Sequence, residues 1–331
     1  MKKHLYCKDL TYGSIVSSEP FLIKESYESN GTIYAILSDR SGFIDASVKK
    51  SNTDAAQVLL KNSGGIVLVS GPVLIKNTDA GNVPEVRVRE CIVAESFFPE
   101  EVYDGISEET AKKHIDEICH VMSMVQHAGY RQLLESCLTQ DVLLKLAVYP
   151  ATHDYYGKYR GGALVATCAI TGIVGNCCAS YMKRGNGLTT TELNWDLLMT
   201  AALLHQYGKL IFFEESDPFK KSVAGLAMNY YPSLQSIIEK TVFQNNIPIN
   251  ELDMALLLNV LNVATSNKTG ARAVTAEGIV LRHICHMYGE LEYYQWVSAN
   301  MEQEDDVPYI YNIRDKRHYF RLVGAEEPMI E

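Results

Sequence analysis

Residues 194–210 carry chemistry on one helical pattern. They read Asn194-Trp195-Asp196-Leu197-Leu198-Met199-Thr200-Ala201-Ala202-Leu203-Leu204-His205-Gln206-Tyr207-Gly208-Lys209-Leu210. An imidazole followed directly by a carboxylate offers a divalent cation one nitrogen and one anionic oxygen from adjacent positions. Here Gln206 follows His205, and its neutral carbonyl is a weaker ligand than a carboxylate. Groups that could join His205 in a rebuilt hydrolytic centre are Asp196, His153, Asp154, His283, Cys285 and His286. His283 and His286 are three apart, so on a helix they share a face. The plainer reading of that pair is two solvated residues at the edge of a core. His114, His120 and His127 lie on or beside the apolar stripe of another helical segment. Metal binding is set aside for them, because no carboxylate-rich partner segment stands out.

Asp-Leu-Leu followed by Leu-Leu-His-x-x-Gly-Lys resembles the way HD-type metal-dependent phosphohydrolases present adjacent ligands. Residues 149–171, with Pro150-Ala151, Gly161-Gly162 and Thr167, resemble a segment of the YhaM-type 3′–5′ exoribonucleases that ends in Gly-Gly-Leu-Leu-x-His-Thr. Thr275-Ala276-Glu277 and the helix after it resemble that family's last ligand-bearing stretch. The resemblance implies an OB domain, a helical connector and an HD domain, in that order. It also places losses. Ala166 stands where the family has a ligand histidine, Gln206 where it has a ligand aspartate, and Cys285 where it has the closing aspartate. The paired histidines before Gly-Gly fall on Tyr156 and Gly157, and His153 is out of register with them. No histidine lies between His205 and His283, so a further His-His pair is absent. His205 is the core ligand retained, with Lys209 beside it. Metal sites with an open position usually need about three protein ligands. The expectation is therefore a catalytically degenerate relative with no cofactor. The alternative is an active, divergent nuclease or phosphohydrolase holding a divalent metal such as Mn in a rebuilt site. HD-type relaxases share related motifs, but the N-terminal domain argues against them.

The elements in front fit the same order. Residues 11–24 read as a first strand, and Thr32–Val48 as two strands about an Asp39-Arg40-Ser41-Gly42 turn. Asp54–Lys61 reads as a short helix, and Gly65–Lys76 and Pro84–Ala94 as two more strands. The order β-β-β-α-β-β predicts a five-stranded OB barrel over residues 1–97, a fold whose faces often bind single-stranded nucleic acid. Tyr34 and Phe43 are the candidate base-stacking platforms, and Lys49, Lys50, Arg87 and Arg89 the candidate phosphate contacts. Arg87 and Arg89 are expected to share one face of the last strand. The bland reading is that the aromatics fill the barrel and the arginines are solvated.

Residues 98–148 read as a helical connector, with Ser107 as N-cap and a stripe of Ile115, Ile118, Val121, Met122, Met124 and Val125. Residues 149–300 read as an all-α HD-like domain with helices at 163–183, 194–213, 233–244, 251–264 and 275–297. Residues 301–331 form a tail in which Glu302–Asp306 is an acidic spacer before Tyr309, Tyr311, Tyr319 and Phe320. The connector stripe and the tail aromatics suit self-association or docking on a protein partner. The net charge of −10 opposes strong nonspecific nucleic-acid binding but leaves room for a local basic groove. The eight cysteines lack zinc-type spacing, which suits free thiols in a reducing cytoplasm. No apolar run is expected to span a bilayer, and Met1-Lys2-Lys3-His4 has no apolar stretch behind it.

Overall fold

Alternation of apolar and polar residues sets the N-terminal strands. In β1 (Ile15–Ser29), β2 (Thr32–Asp39) and β3 (Gly42–Lys49), Ile33, Ala35, Leu37, Ile44, Ala46 and Val48 are buried, and the residues between them face outward. Asn30 and Gly31, both at positive φ, make the two-residue turn between β1 and β2. The computed structural model describes residues 3–78, 81–152, 157–183, 193–215, 217–265, 272–299, 309–312 and 316–320. The chain divides into two compact units, Met1–Ser107 with Ser216–Pro218, and Glu108–Glu215 with Phe219–Glu331.

The first unit continues with α1 (Thr53–Lys61), β4 (Ile66–Thr78), β5 (Gly81–Arg87), β6 (Glu90–Val93) and α2 (Pro99–Val102). β1 pairs with β2, β2 with β3, β3 with β5 in parallel, β5 with β4, and β4 returns to β1. These pairings close a ring of five strands within a six-stranded sheet. Phe21, Ile23, Leu37, Val67, Val69, Val73 and Val86 fill it. The order of strands and the place of α1, between β3 and β4, match the expected OB arrangement. Two details differ from the sequence reading. β1 runs later than 11–24, with a bulge between Val16 and Glu19. Residues 84–94 are two strands. β5 ends at Arg87, the Val88 and Arg89 amides donate to Ser47 and Ser70 carbonyls, and β6 then pairs with the other end of β4. A buried ion pair, Lys3 Nζ to Asp39 Oδ2 at 3.2 Å, ties the N-terminal segment to the β2–β3 turn. The Cys7 and Ser41 amides also donate to Asp39.

The second unit holds α3 (Glu108–Met124), α4 (Ala128–Cys137), α5 (Gln140–Leu146), α6 (Gly162–Lys183), α7 (Trp195–Leu204), α8 (Lys209–Phe212), α9 (Val223–Ala227), α10 (Tyr230–Gln244), α11 (Glu251–Thr265) and α12 (Ala276–Ala299). α7 is its centre: Leu197–Leu204 are all buried, and α7 packs on α3, α4, α6, α11 and α12. The expected helix 194–213 is broken after Leu204, and α8 starts at Lys209. Gly208, at the start of α8, lets α10 approach closely, since a Cβ there would sit 3.0 Å from Leu234 Cα. α10 starts at Tyr230 rather than Ser233, with Pro232 in its first turn, where no intrahelical amide bond is lost. Gly162 opens α6 as its Gly-Gly context suggests: a Cβ there would collide with the Gly157 carbonyl.

One expectation is corrected here. Gly162–Ala179 of α6 is long and apolar enough, by length and composition, to cross a membrane. Half of that window is buried, and its packing on α3, α5, α7 and α12 accounts for its composition as a core helix. Within the tail beyond residue 300, the second unit adds two strands. β7 (Tyr309–Asn312) and β8 (Arg317–Phe320) form an antiparallel hairpin. Tyr319 of β8 lies against Tyr293 and Tyr294 of α12, with ring centroids 6.0 and 6.1 Å apart.

Candidate functional site

On the outside of the strand ring, register lines up one row across four strands. Tyr27 of β1 pairs with Tyr34 of β2, Tyr34 with Ser47 of β3, and Ser47 with Arg87 of β5. At about 4.8 Å per strand the row is roughly 14 Å wide. Tyr27 and Tyr34 are stacked, with centroids 5.5 Å apart and planes 25° from parallel. Lys76 Nζ sits 5.4 Å from the Tyr34 ring and 3.0 Å from Asp45 Oδ2. Its ammonium is held above the usual lysine range, first by the hydrogen bond to Asp45. Ser47 Oγ is buried without a hydrogen-bond partner among the described residues.

Tyr34, Lys49, Lys50 and Arg87 therefore belong to one area, and Tyr34 does not fill the interior. Phe43 is 70% exposed but lies four positions along β3 from Ser47, about 13 Å away by strand rise. Arg89 lies just beyond the end of β5 and is exposed like Arg87, with Val88 buried between them before the chain turns to begin β6. Several bases of this area are already neutralised. Lys50 pairs with Glu28 at 2.7 Å, Lys76 with Asp45, and Arg87 with Glu85 at 3.6 Å. Lys49 and Arg89 have no acidic partner among the described residues. Tyr27 was missed in the sequence reading. The Asn30-Gly31 turn could have found it, because a two-residue turn fixes Tyr27 opposite Tyr34.

The second candidate centre surrounds His205, which caps the C-terminus of α7 and is buried. Its Nδ1 lies 2.6 Å from the Ala202 carbonyl, and Nε2 has no hydrogen-bond partner among the described residues. Burial pushes the imidazole down to about 4, so it is neutral at pH 7. Gln206 Oε1 is likewise buried without a partner among the described residues. Lys209 is buried with Nζ 4.3 Å from the Tyr230 ring, 5.4 Å from Phe212 and 5.5 Å from Phe213. No acid pairs with it among the described residues, and burial pulls its ammonium down to about 7. Tyr230 donates its hydroxyl to the His205 carbonyl at 2.6 Å and is within electrostatic reach of Cys285. Burial pushes the Cys285 thiol up to about 12, so it is not a thiolate.

The other groups weighed for a rebuilt centre do not converge on His205. Asp196, at the other end of α7, accepts the Gln126 and His127 amides at 3.0 and 2.8 Å and so holds the segment before α4, whose N-cap is His127. His283 and His286 are exposed on α12, and His286 pairs with Glu290 at 3.7 Å. Ala166 is buried in α6. His153, Asp154 and Tyr156 lie outside the described residues. Elsewhere in this unit, one cluster was missed. His114 and Glu117 of α3 meet Cys168 of α6, and their ligand atoms all lie within 4.8 Å of one another. The sequence signal for it was His-x-x-Glu, one turn of helix. Its partner came from a distant helix, which spacing alone could not show.

No family model and no curated protein matches the chain. Solved structures similar to parts of it include the p204 HINb domain, 20% identical with a TM-score of 0.21, over 27% of this chain and 44% of that one. The asparaginyl-tRNA synthetase from Pyrococcus horikoshii complexed with asparaginyl-adenylate is 15% identical with a TM-score of 0.23, over 47% and 37%. The aspartyl tRNA synthetase from Entamoeba histolytica is 14% identical with a TM-score of 0.20, over 62% and 47%. This chain spans less than half the length of each. Likenesses at such TM-scores carry no argument, so the functional reading rests on strand pairing and side chains.

Proposed function

We propose that the N-terminal unit is an OB barrel that binds single-stranded RNA or DNA weakly. In this reading the helical unit is a degenerate HD-like domain, descended from YhaM-type 3′–5′ exoribonucleases and lacking their metal centre. The observation that carries the nucleic-acid half is the row Tyr27–Tyr34–Ser47–Arg87, which sets a stacked pair, exposed Tyr27 on half-buried Tyr34, in register with the cation Arg87 across the face of β1, β2, β3 and β5. Bases stack on such rings without sequence preference, and phosphates need the cations. The degenerate half is supported by the surroundings of His205. A buried neutral imidazole has Gln206 next to it and an unpaired Lys209 one turn on, and a nearby cation repels a metal. The role is thus binding of nucleic acid or a protein partner, in the cytoplasm, by a self-associating chain. Anisotropy of a labelled single-stranded oligonucleotide, with Tyr34→Ala beside the wild type, tests the binding half.

A further inference from the structure

We propose that His114, Glu117 and Cys168 form a zinc-type metal site that pins α3 to α6, with its fourth position open to solvent. His114 and Glu117 are one helical turn apart, so both side chains leave α3 on one side. His114 Nδ1 and Glu117 Oε2 stand 3.1 Å apart, and Cys168 Sγ lies 3.4 Å from the His114 carbonyl. Ligand atoms around a tetrahedral zinc ion are spaced about 3.3–3.6 Å, given ordinary Zn–N, Zn–O and Zn–S lengths. The pair on α3 already has that spacing, and the three atoms together need about an ångström of closure from their 4.8 Å limit. Access exists: the His114 side chain is 21% exposed and that of Glu117 50%. Glu117 also lines an open cleft on α3 with Lys113, Asp116 and His120.

The donor set selects the metal class. One imidazole, one carboxylate and one thiolate suit a borderline-soft ion such as Zn²⁺, whereas Mg²⁺ and Ca²⁺ prefer all-oxygen shells. Binding breaks the Cys168 S–H bond, forms a metal–sulfur bond and releases the proton to solvent. The thiolate and the Glu117 carboxylate then balance the two charges of the ion.

Full-length protein, stripped with chelator, is titrated with Zn²⁺ against a chromophoric chelator, and separately with Co²⁺ followed by absorption. One equivalent is expected to bind, with a thiolate-to-cobalt charge-transfer band. Cys168→Ser removes the band and weakens zinc binding by more than about 100-fold, beyond the usual effect of losing an outer-shell partner. Glu117→Gln, at a half-exposed position, weakens it while the fold persists. Cys119→Ser, an exposed thiol on the same helix, changes neither. Zinc binding no tighter than millimolar, a cobalt band that survives Cys168→Ser, or one that depends on Cys119 overturns the site. If Cys168→Ser does not fold, unchanged zinc affinity in Glu117→Gln overturns it instead.

Discussion

Lys209 is a cation among three aromatic rings with no acid beside it. Its pKa falls from 10.5 to about 7 by burial, with Lys221 adding to the effect. Between those two values the unfolded chain holds more protons on this group than the folded one. Stability therefore rises with pH across that window, and the full penalty applies below about 7. Lys209→Met should remove the dependence and stabilise the protein at pH 7 by roughly 1–3 kcal/mol. Urea midpoints at pH 7 and pH 9 check this, and a wild type no more pH-dependent than the variant contradicts it. The ligand losses at Ala166, Gln206 and Cys285 were legible because they are substitutions at fixed places in a motif. Restoring them with Ala166→His, Gln206→Asp and Cys285→Asp should raise affinity for Mn²⁺, measured by calorimetry. A triple variant that folds and gains no affinity shows that the residue register is wrong. The role of Asp196 was not legible. Its partners are backbone amides of residues 126 and 127, seventy and sixty-nine positions away, and amides carry no sequence signature.

At the scale of elements, strand alternation and turn residues gave the ring of β1 to β5, because each strand buries one face. Helices α5, α6, α11 and α12 were likewise legible in their 3.6-residue periodicity. What failed were breaks imposed by packing. Residues 84–94 keep an alternating, β-prone pattern through Arg89, yet the chain changes partners at Val88 and Arg89. Residues 194–213 keep a helical pattern, yet α7 ends at Leu204 and α8 begins only at Lys209. The same register that fixes the ring fixes the candidate interface. Tyr34→Ala should weaken oligonucleotide binding about 5- to 100-fold, the range of one lost stack. Phe43→Ala, off the row, should weaken it less. Equal losses in the two variants would contradict a platform built on Tyr27 and Tyr34.

At the scale of the molecule, a net charge of −10 and the ion pairs on the barrel face limit how strongly phosphates are drawn in. Self-association is a separate expectation. Ile279, Met287 and Leu291 leave an exposed apolar stripe on α12, the helix against which Tyr319 packs. Light scattering behind size exclusion should give a species larger than a monomer, reduced when the chain is cut after Asp306. A monomer across micromolar concentrations contradicts it. Nucleic-acid binding itself is tested most directly by anisotropy of a labelled single-stranded oligonucleotide, titrated with the wild-type chain at low and at physiological salt. Binding is predicted at low salt with a dissociation constant in the micromolar range or weaker, because few phosphates are neutralised, and affinity should fall as salt rises, because each phosphate contact releases condensed counterions. No binding at low salt by a folded protein would contradict it.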